Sequence, residues 1–241
     1  MIPFLSIIIP THNEENRLPQ ALQQIFDFVN QQPYSTEVLI VENGSSDRTL
    51  EIATAFADQR PGFRVIREQG RGKGLAIRRG MLEGSGEYRF MCDVDLSMPV
   101  SEINRFLPPQ LVDCEVAIAS REATGAVRYH EPLYRHLGGR AVNWMIRLLI
   151  LPGLYDTQCG FKCFKGKIVE DLFGHQTIMG WSFDIELLFI ARQRHYKIQE
   201  VPIPWFYNSG SKLSAFKNAF QMGLDILLIW RNHLSGRYTK V

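Results

Sequence analysis

The first hundred residues alternate short apolar runs with amphipathic segments, and this alternation restricts the fold more than any other feature. The apolar runs cover 5–10 (LSIIIP), 37–43 (EVLIVEN), 63–68 (FRVIRE) and 88–95 (YRFMCDVD), with helical patterns between them. Short apolar strands that alternate with helices predict an α/β fold, a mainly parallel twisted sheet with helices on both faces. In such sheets the ligand binds at the carboxyl ends of the strands.

The second half of the chain is less regular. Its recognisable elements are two strand-like segments, at 115–120 and 197–207, and two helical segments, at 183–195 and 219–234. We see no internal repeat and no obvious linker. The sequence therefore predicts one domain over residues 1–213 and a C-terminal helical extension over 214–241.

Composition and charge exclude several classes of protein. A hydrophobic content of 45% and a charged content of 22% are those of an ordinary globular chain, and a net charge of +2 gives no general affinity for nucleic acid. The four cysteines lack CxxC spacing, so we expect reduced thiols and a cytoplasmic location. We also expect neither a secretory signal nor a membrane-spanning helix, because the sequence has no basic leader and no run of roughly 20 apolar residues.

Two acids one residue apart follow the fourth strand, in the stretch MCDVDLSMP. Asp93 and Asp95 end an apolar run, where a carboxylate costs desolvation energy unless a positive group lies nearby. A pair of carboxylates suits Mg²⁺ or Mn²⁺, which also take waters and substrate phosphates. Ser97 is close enough in sequence to reach the same ion or its water. The alternative interpretation is two solvated acids in a loop.

Two further segments would face the same crevice. Glu42 and Asn43 end the second strand, and the amide of Asn43 can both donate to and accept from the edge of a nucleobase. Asn-Gly is equally typical of a plain turn. Residues 71–74 precede a helix, so their backbone amides and Lys73 are candidates for binding a diphosphate, although the spacing is not the Walker pattern.

A basic and aromatic segment follows the fifth strand. It carries five arginines among tyrosine, tryptophan and aliphatic residues: Arg121, Arg128, Arg135, Arg140 and Arg147. This combination is typical of a site for a phosphate that is attached to an apolar chain. A solvated helical face explains the same arginines.

Taken together, these segments resemble the family 2 glycosyltransferases. The motifs are, in chain order, IIIPTHNEE, VLIVENGSSDRT, GRGKGLAIRRGM, DVDLSMP, SR, DTQCGFKCF, WSFDIELLFIA and EVPIPW with SGSKL. Their order and spacing are most similar to the branch of dolichyl-phosphate glucosyltransferases and mannosyltransferases, over roughly residues 5 to 213. DTQCGFK and GSKL look especially like the dolichyl-phosphate β-glucosyltransferases.

The resemblance implies a GT-A fold, a divalent cation (Mg²⁺ or Mn²⁺) held by Asp93 and Asp95, and a nucleotide-sugar donor, UDP-glucose; Ser97 is the candidate for a third ligand. It assigns substrate binding to residues from several motifs: Pro10, Thr11, Glu14, Glu42, Asn43, Lys73, Asp93, Asp156, Gln158 and Lys212. Many relatives have two aspartates in place of Glu42-Asn43, and the mannosyltransferases have a glutamine in place of Ser97. For Asp156 and Gln158, packing of a loop over the site is the alternative role.

The implied reaction is an inverting transfer of the sugar to a polyprenyl or dolichyl phosphate. A phosphate monoester is largely ionised at neutral pH, because its second pKa is about 6, so no strong general base is needed. Arg121 and Arg135 match the arginines that family members use for the acceptor phosphate, and we expect them to position it for attack. Asp184 and Glu186, two residues apart, would contact sugar hydroxyls or polarise the acceptor. Acids that stabilise a helix start are the alternative.

The acceptor also implies contact with a membrane. The segments WMIRLLILPGLY and AFKNAFQMGLDILLIW have apolar faces and flanking Lys or Arg, as interfacial segments do. Packing on the sheet or in a homodimer interface explains them equally well. We expect peripheral attachment at the cytosolic face of the membrane.

Other functions are compatible with parts of the pattern. Within the class, the alternative is a polyprenyl-phosphate mannosyltransferase that uses GDP-mannose. From a different class, a sugar nucleotidyltransferase or a sugar-nucleotide-binding protein would use a similar α/β sheet. A nucleotidyltransferase should have a glycine-rich loop after the first strand, where this chain has PTHNEEN.

Overall fold

The structure, a computed structural model, describes residues 2–207 and 215–239. The first half alternates strand and helix as the sequence predicts. Its elements are β1 (Leu5–Thr11), α1 (Leu18–Asn30), β2 (Thr36–Glu42), α2 (Thr49–Ala57), β3 (Phe63–Arg67), α3 (Lys73–Glu83) and β4 (Tyr88–Cys92), followed by a 3₁₀ helix (Val100–Phe106).

The second half contains more regular structure than the sequence pattern indicates. Its elements are β5 (Val116–Ser120), β6 (Val127–Tyr129), α4 (Leu133–Leu149), β7 (Phe161–Lys165), α5 (Gly166–Gly174), α6 (Phe183–Gln193), β8 (Ile198–Pro202), β9 (Pro204–Phe206) and α7 (Ala215–Leu234). The sequence pattern predicts neither β7 nor α5. The strand-like segment 197–207 is divided between β8 in the main sheet and β9, which pairs with β6.

The main sheet has seven strands in the order β3-β2-β1-β4-β7-β5-β8. β1 is parallel to β2 and β4, and β5 is parallel to β8. β7 is antiparallel to both of its neighbours, β4 and β5. The mainly parallel α/β sheet is therefore confirmed, with one reversed strand, β7, between β4 and β5. Because β4 and β5 both run opposite to β7, their carboxyl ends meet at the same edge of the sheet.

Successive side chains of each strand point to opposite faces of the sheet, and both faces are covered. Ile7 and Ile9 of β1 belong to the core that includes Ile25 of α1. Ile8, between them, belongs to the core on the other face, with Ile77 of α3. Full burial of one such side chain stabilises the fold by about 1.5–3 kcal/mol. The two cores hold the strand ends, and so the candidate site, on a rigid frame.

The C-terminal helix is part of this packing. Met222, Ile226 and Ile229 of α7 lie in the same core as Ile8. The division after residue 213 stays a prediction, and the described part of α7 is packed on the domain that contains the sheet. No helix within the two described ranges combines the length and the apolar character that crossing a bilayer requires. The four cysteines are buried free thiols: Cys92, Cys114, Cys159 and Cys163.

Candidate active site

The two acids of the DVD motif lie immediately after β4, at the carboxyl end of the central strands. Cys92, the last strand residue, is fully buried, whereas the side chain of Asp93 is 24% exposed. The chain then turns through Leu96, whose φ is 42°, and the Ser97 N–H donates to Asp95 Oδ1 at 3.0 Å. One tight turn therefore carries Asp93, Asp95 and Ser97 at the edge where the sequence predicts the ligand crevice.

Lys73, the first residue of α3, provides the positive group that the buried strand end requires. Its Nζ lies 2.7 Å from both carboxylate oxygens of Asp93. Burial by itself would lower the pKa of Lys73, but Asp93 outweighs this and, with Asp184 and Asp95, raises the pKa. The indole of Trp181 lies 5.3 Å from the same ammonium. The cation that we expected near a diphosphate is therefore also next to the candidate metal acids.

Asn43 holds the glycine turn before α3. Its Oδ1 accepts a hydrogen bond from Gly72 N at 3.0 Å, and its Nδ2 donates to Gly70 O. Gly72 has a φ of 139°, and a Cβ at this position would overlap the carbonyl oxygen of Met179. Only glycine fits both requirements. The amide that we expected to bind a nucleobase edge is thus engaged with the turn, and base binding by Asn43 stays a prediction.

The other candidates from the first two strands lie at the same edge. Pro10 and Thr11 end β1, and Thr11 Oγ1 donates to Val41 O at 3.3 Å. Glu42 ends β2, is 3% exposed, and accepts a hydrogen bond from Ser45 N at 2.5 Å. Glu14 is paired with Arg17 at 2.8 Å. The structure groups these residues as expected, and their contacts with a nucleoside stay predictions.

Arg121 follows β5 and forms a bidentate ion pair with Asp156. Arg121 Nε lies 2.6 Å from Asp156 Oδ2, and Nη2 lies 2.9 Å from Oδ1. The Arg121 backbone N–H also donates to Oδ2, at 3.0 Å. Burial alone would lower the pKa of Arg121, but Asp156 raises it; Arg121 in turn lowers the pKa of Asp156 against the effect of burial. The fully buried Asp156 therefore fixes the orientation of the arginine.

A second ion pair, which the sequence pattern does not reveal, lies at the start of β7. Lys162 is 1% exposed, and its Nζ donates to Asp184 Oδ2 at 3.0 Å and to Cys159 O at 2.5 Å. Asp184 Oδ1 is buried and has no hydrogen-bond partner among the described residues, and the same holds for Thr157 Oγ1. A Cβ at Gly160 would overlap the Asp93 carboxylate. A buried acceptor without a partner indicates a place for a ligand or a water.

The remaining candidates have different outcomes. Glu186 does not share a site with Asp184, because it is fully buried and its carboxylate is occupied by Thr177, Ile178 and Tyr238. Gln158 is half-buried in the loop before β7. Arg135 lies in α4, but its side chain is outside the described residues, as is the whole of Lys212.

The donor set fits a hard divalent cation that is shared with a substrate. Within residues 2–207 and 215–239 there is no cluster of three or more His, Cys, Asp or Glu side chains that would hold a metal alone. Mg²⁺ is commonly bound by one or two carboxylates together with substrate phosphates and waters. Asp93 and Asp95 are such a partial set, and Ser97 adds one weaker oxygen.

Comparisons with known proteins match this chain to glycosyltransferases. A model of glycosyl transferase family 2 matches residues 6–173. The dolichyl-phosphate beta-glucosyltransferase of Dictyostelium discoideum is 31% identical over 247 residues, which cover 97% of this chain and 76% of that protein. The Homo sapiens protein of the same name is 30% identical over 254 residues, covering 97% and 77%.

Solved structures share the fold. Glucosyl-3-phosphoglycerate synthase from Mycobacterium tuberculosis, in complex with Mn²⁺, UDP-glucose and phosphoglyceric acid, superposes with a TM-score of 0.68 at 17% identity. The match covers 94% of this chain and 79% of that one. Fold and site together define a glycosyltransferase of the GT-A type. The chain belongs to glycosyl transferase family 2.

Proposed function

We propose that the protein transfers glucose from UDP-glucose to a polyprenyl or dolichyl phosphate, with inversion at the anomeric carbon. The observation that carries the proposal is the DVD turn at the end of β4 and Arg121 at the end of β5. These two strands flank β7, so their ends lie about 10 Å apart at a strand spacing of 4.7–4.9 Å. That separation leaves room for a sugar between a donor diphosphate and an acceptor phosphate.

The relatives support the choice of substrates. The proteins from Dictyostelium discoideum and Homo sapiens are named for glucose transfer to dolichyl phosphate. The structural neighbour from Mycobacterium tuberculosis was solved with UDP-glucose and Mn²⁺. Both descriptions agree with the donor and acceptor that the sequence motifs imply.

On the donor side, Asp93 and Asp95 would hold Mg²⁺ or Mn²⁺, with Ser97 or waters completing the coordination. The cation would act as a Lewis acid on the diphosphate, whose negative charge grows as its bond to the sugar breaks. Lys73 lies beside Asp93 and is positioned to bind the same diphosphate. The backbone of the Arg71 to Gly74 turn, held by Asn43, keeps Lys73 in place.

On the acceptor side, Arg121 binds and orients the lipid phosphate. Asp156 occupies the edge of the guanidinium formed by Nε and Nη2, whereas Nη1 makes no hydrogen bond with any described residue and is available to the phosphate. The acceptor oxygen already carries negative charge at pH 7, so the main requirement is alignment opposite the leaving group. Asp184 Oδ1, buried and without a partner in the described residues, is our candidate for accepting a hydrogen bond from a sugar hydroxyl.

For membrane contact we propose the outer faces of α4 and α7. α4 exposes Trp144 and Leu148, and α7 exposes an apolar stripe at helical spacing: Phe220, Leu224, Leu227 and Leu234. Two exposed arginines, Arg140 in the middle of α4 and Arg231 in the last turn of α7, are suited to anionic lipid head groups. Flotation with vesicles that contain anionic lipid should carry the protein upward, and Leu227→Glu should weaken this; equal flotation of the variant would contradict this assignment.

The donor experiment offers UDP-glucose, GDP-mannose and UDP-GlcNAc with a short polyprenyl phosphate and identifies the lipid product by mass. Glucosyl product from UDP-glucose is expected, and mannosyl product from GDP-mannose would favour the mannosyltransferase alternative. Asp95→Asn keeps the size of the side chain and should lower transfer at least about 100-fold, because a direct ligand is lost. Asp58→Asn, at an exposed acid, is the matched control and should keep full activity. Full activity of Asp95→Asn in the presence of EDTA would refute the metal-dependent mechanism.

A further inference from the structure

A buried hydrogen-bond network joins the C-terminal residues to α6. Glu186 of α6 is fully buried, and its Oε1 accepts a hydrogen bond from the Tyr238 hydroxyl at 2.6 Å. Asn232, near the end of α7, donates through Nδ2 to Tyr238 Oη at 3.2 Å and to Thr177 Oγ1 at 3.0 Å. Tyr238 and Asn232 are 3% and 4% exposed, so this network is shielded from water. Buried bonds to an ionised carboxylate are among the stronger ones in a protein.

The same carboxylate holds the segment of residues 176–181, here called the bridging loop. Glu186 Oε2 accepts hydrogen bonds from the backbone N–H groups of Thr177, at 2.9 Å, and Ile178, at 2.7 Å. Glu186 Oε1 also accepts the Thr177 hydroxyl proton, at 2.5 Å. One buried side chain therefore fixes the first residues of the bridging loop and the C-terminal tyrosine together.

The bridging loop in turn packs on the glycine turn that presents Lys73. Met179 O accepts a hydrogen bond from Leu75 N at 3.2 Å, and Gln176 Nε2 donates to Gly74 O at 3.0 Å. Gly72 packs so closely on the Met179 carbonyl that no Cβ fits between them. Neither the turn nor the bridging loop can move far without disturbing the other. A continuous set of contacts thus runs from Tyr238 to the ammonium that pairs with Asp93.

We propose that Tyr238 and Glu186 are positioning residues for the donor site, and that they couple the seating of α7 to the placement of Lys73. α7 is the helix whose outer face is apolar and exposed, at Phe220, Leu224 and Leu227. Contact of that face with a lipid surface restrains the helix, and the restraint passes through Tyr238 and Glu186 to the bridging loop. The role of this coupling in donor binding rests on the proposed function. The physical link between α7 and Lys73 does not depend on which sugar is transferred.

Hydrogen exchange measured by mass spectrometry tests the link without any assay of activity. Tyr238→Phe keeps the ring against Phe189 and removes only the hydroxyl. We expect exchange to rise at least 5-fold in peptides covering residues 72–76 and 176–182. Tyr196→Phe is the matched control, because its hydroxyl also donates to a carboxylate, Asp171 Oδ2 at 2.8 Å, which makes no hydrogen bond to the described residues 176–181. The control should leave both peptides unchanged.

Binding and kinetics separate positioning from general destabilisation. Tyr238→Phe should raise the Kd for UDP with Mn²⁺ by at least 3-fold and raise the donor KM, while kcat with saturating donor changes less than 2-fold. Asn232→Ala, which removes the amide that donates to Tyr238 Oη, should act in the same direction. Anionic vesicles without acceptor should lower exchange in 72–76 for the native protein and have a smaller effect for Tyr238→Phe.

Several outcomes would overturn the coupling. Unchanged exchange in 72–76 for both Tyr238→Phe and Asn232→Ala would do so, as would a uniform increase across all peptides, which indicates global destabilisation. The proposed function fails separately, if no nucleotide sugar yields a lipid-linked product while the exchange pattern and UDP binding behave as expected. The two failures are therefore distinguishable.

Discussion

Replacement of Lys162 by methionine tests the arrangement at the centre of the candidate site. Lys162 is 1% exposed and pairs with Asp184, which is 4% exposed. Methionine fills a similar volume but leaves the Asp184 carboxylate buried without its counter-charge. Breaking a buried ion pair on one side costs about 3–5 kcal/mol, a large part of the 5–15 kcal/mol that stabilises a typical domain. Lys162→Met should therefore lower the free energy of unfolding by that amount.

A double variant and a surface control make the measurement specific. Lys162→Met combined with Asp184→Leu removes both charges and should recover most of the loss, because a packed apolar pair often replaces a buried ion pair at little cost. Lys165→Met is the control on the same strand. Lys165 lies 3.6 Å from Glu115 and is partly exposed, so its loss should cost at most about 1 kcal/mol.

Urea unfolding followed by circular dichroism at pH 7 gives the free energies of the native protein, Lys162→Met, Asp184→Leu, the double variant and Lys165→Met. The coupling energy, the difference between the double variant and the sum of the single variants, should be about 2 kcal/mol or more in favour of the pair. If Lys162→Met is no more destabilising than Lys165→Met, or if the losses of the single variants simply add, the assignment of a tight buried pair is refuted. Activity serves as a second readout: the double variant should be stable and nearly inactive, because Asp184 Oδ1 is lost.

Two further predictions concern the residues around this pair. Gly160→Ala should weaken Mn²⁺ binding at least 10-fold by calorimetry, because the new Cβ overlaps the Asp93 carboxylate. Gly174→Ala is the control and should leave Mn²⁺ affinity unchanged, because a Cβ at Gly174 meets no atom within 4 Å. Equal Mn²⁺ affinities of the two variants would contradict the close packing of Gly160 on Asp93. Because Arg121 lowers the pKa of Asp156 below its unfolded value of about 3.9, the stability that this pair contributes is present above about pH 4 and is lost as pH falls through the lowered pKa. Urea midpoints measured from pH 6 to pH 2 should fall more in the native protein than in an Arg121→Met/Asp156→Leu variant, and parallel curves would show that the pair is not responsible.

The sequence was informative where the fold repeats a simple pattern. The apolar runs at 5–10, 37–43 and 88–95 predicted β1, β2 and β4, because parallel strands buried on both faces have a continuous apolar signature. The sequence did not predict β7, because its sequence, FKCFK, contains Lys162, a charged residue that is nevertheless buried beside β4. Only the folded structure brings Asp184, 22 positions further along the chain, to neutralise it.

The other site residues could not be assigned from the sequence because their ion-pair or hydrogen-bond partners are known only from the structure. A single sequence reveals that Arg121 and Asp156 carry opposite charges, but not that they meet across 35 positions of chain. The alternatives for Asp156, sugar recognition or loop packing, could not be separated for this reason. Glu186 resembled a partner of Asp184, since the two are two residues apart, yet on a helix such residues do not face each other. The helix turns Asp184 toward Lys162 and Glu186 toward Tyr238.

The charges of these residues explain how the crevice can bind a metal ion and a diphosphate together. Among the described residues, Lys73, the DVD turn and the two buried ion pairs contribute three cations and four carboxylates, a net charge of −1 if all are ionised: Lys73, Arg121 and Lys162 with Asp93, Asp95, Asp156 and Asp184. A divalent cation brings the sum to +1, and a donor diphosphate with two negative charges returns it to −1. Because Arg121 and Lys162 are already neutralised by their own aspartates, the remaining charge is confined to Lys73 and the DVD turn. Among these seven groups, the net negative charge is at the turn and attracts a cation there, and the bound cation makes the same place attractive to a diphosphate. Binding of metal and of donor should therefore be mutually dependent, with each raising the affinity for the other by the same factor.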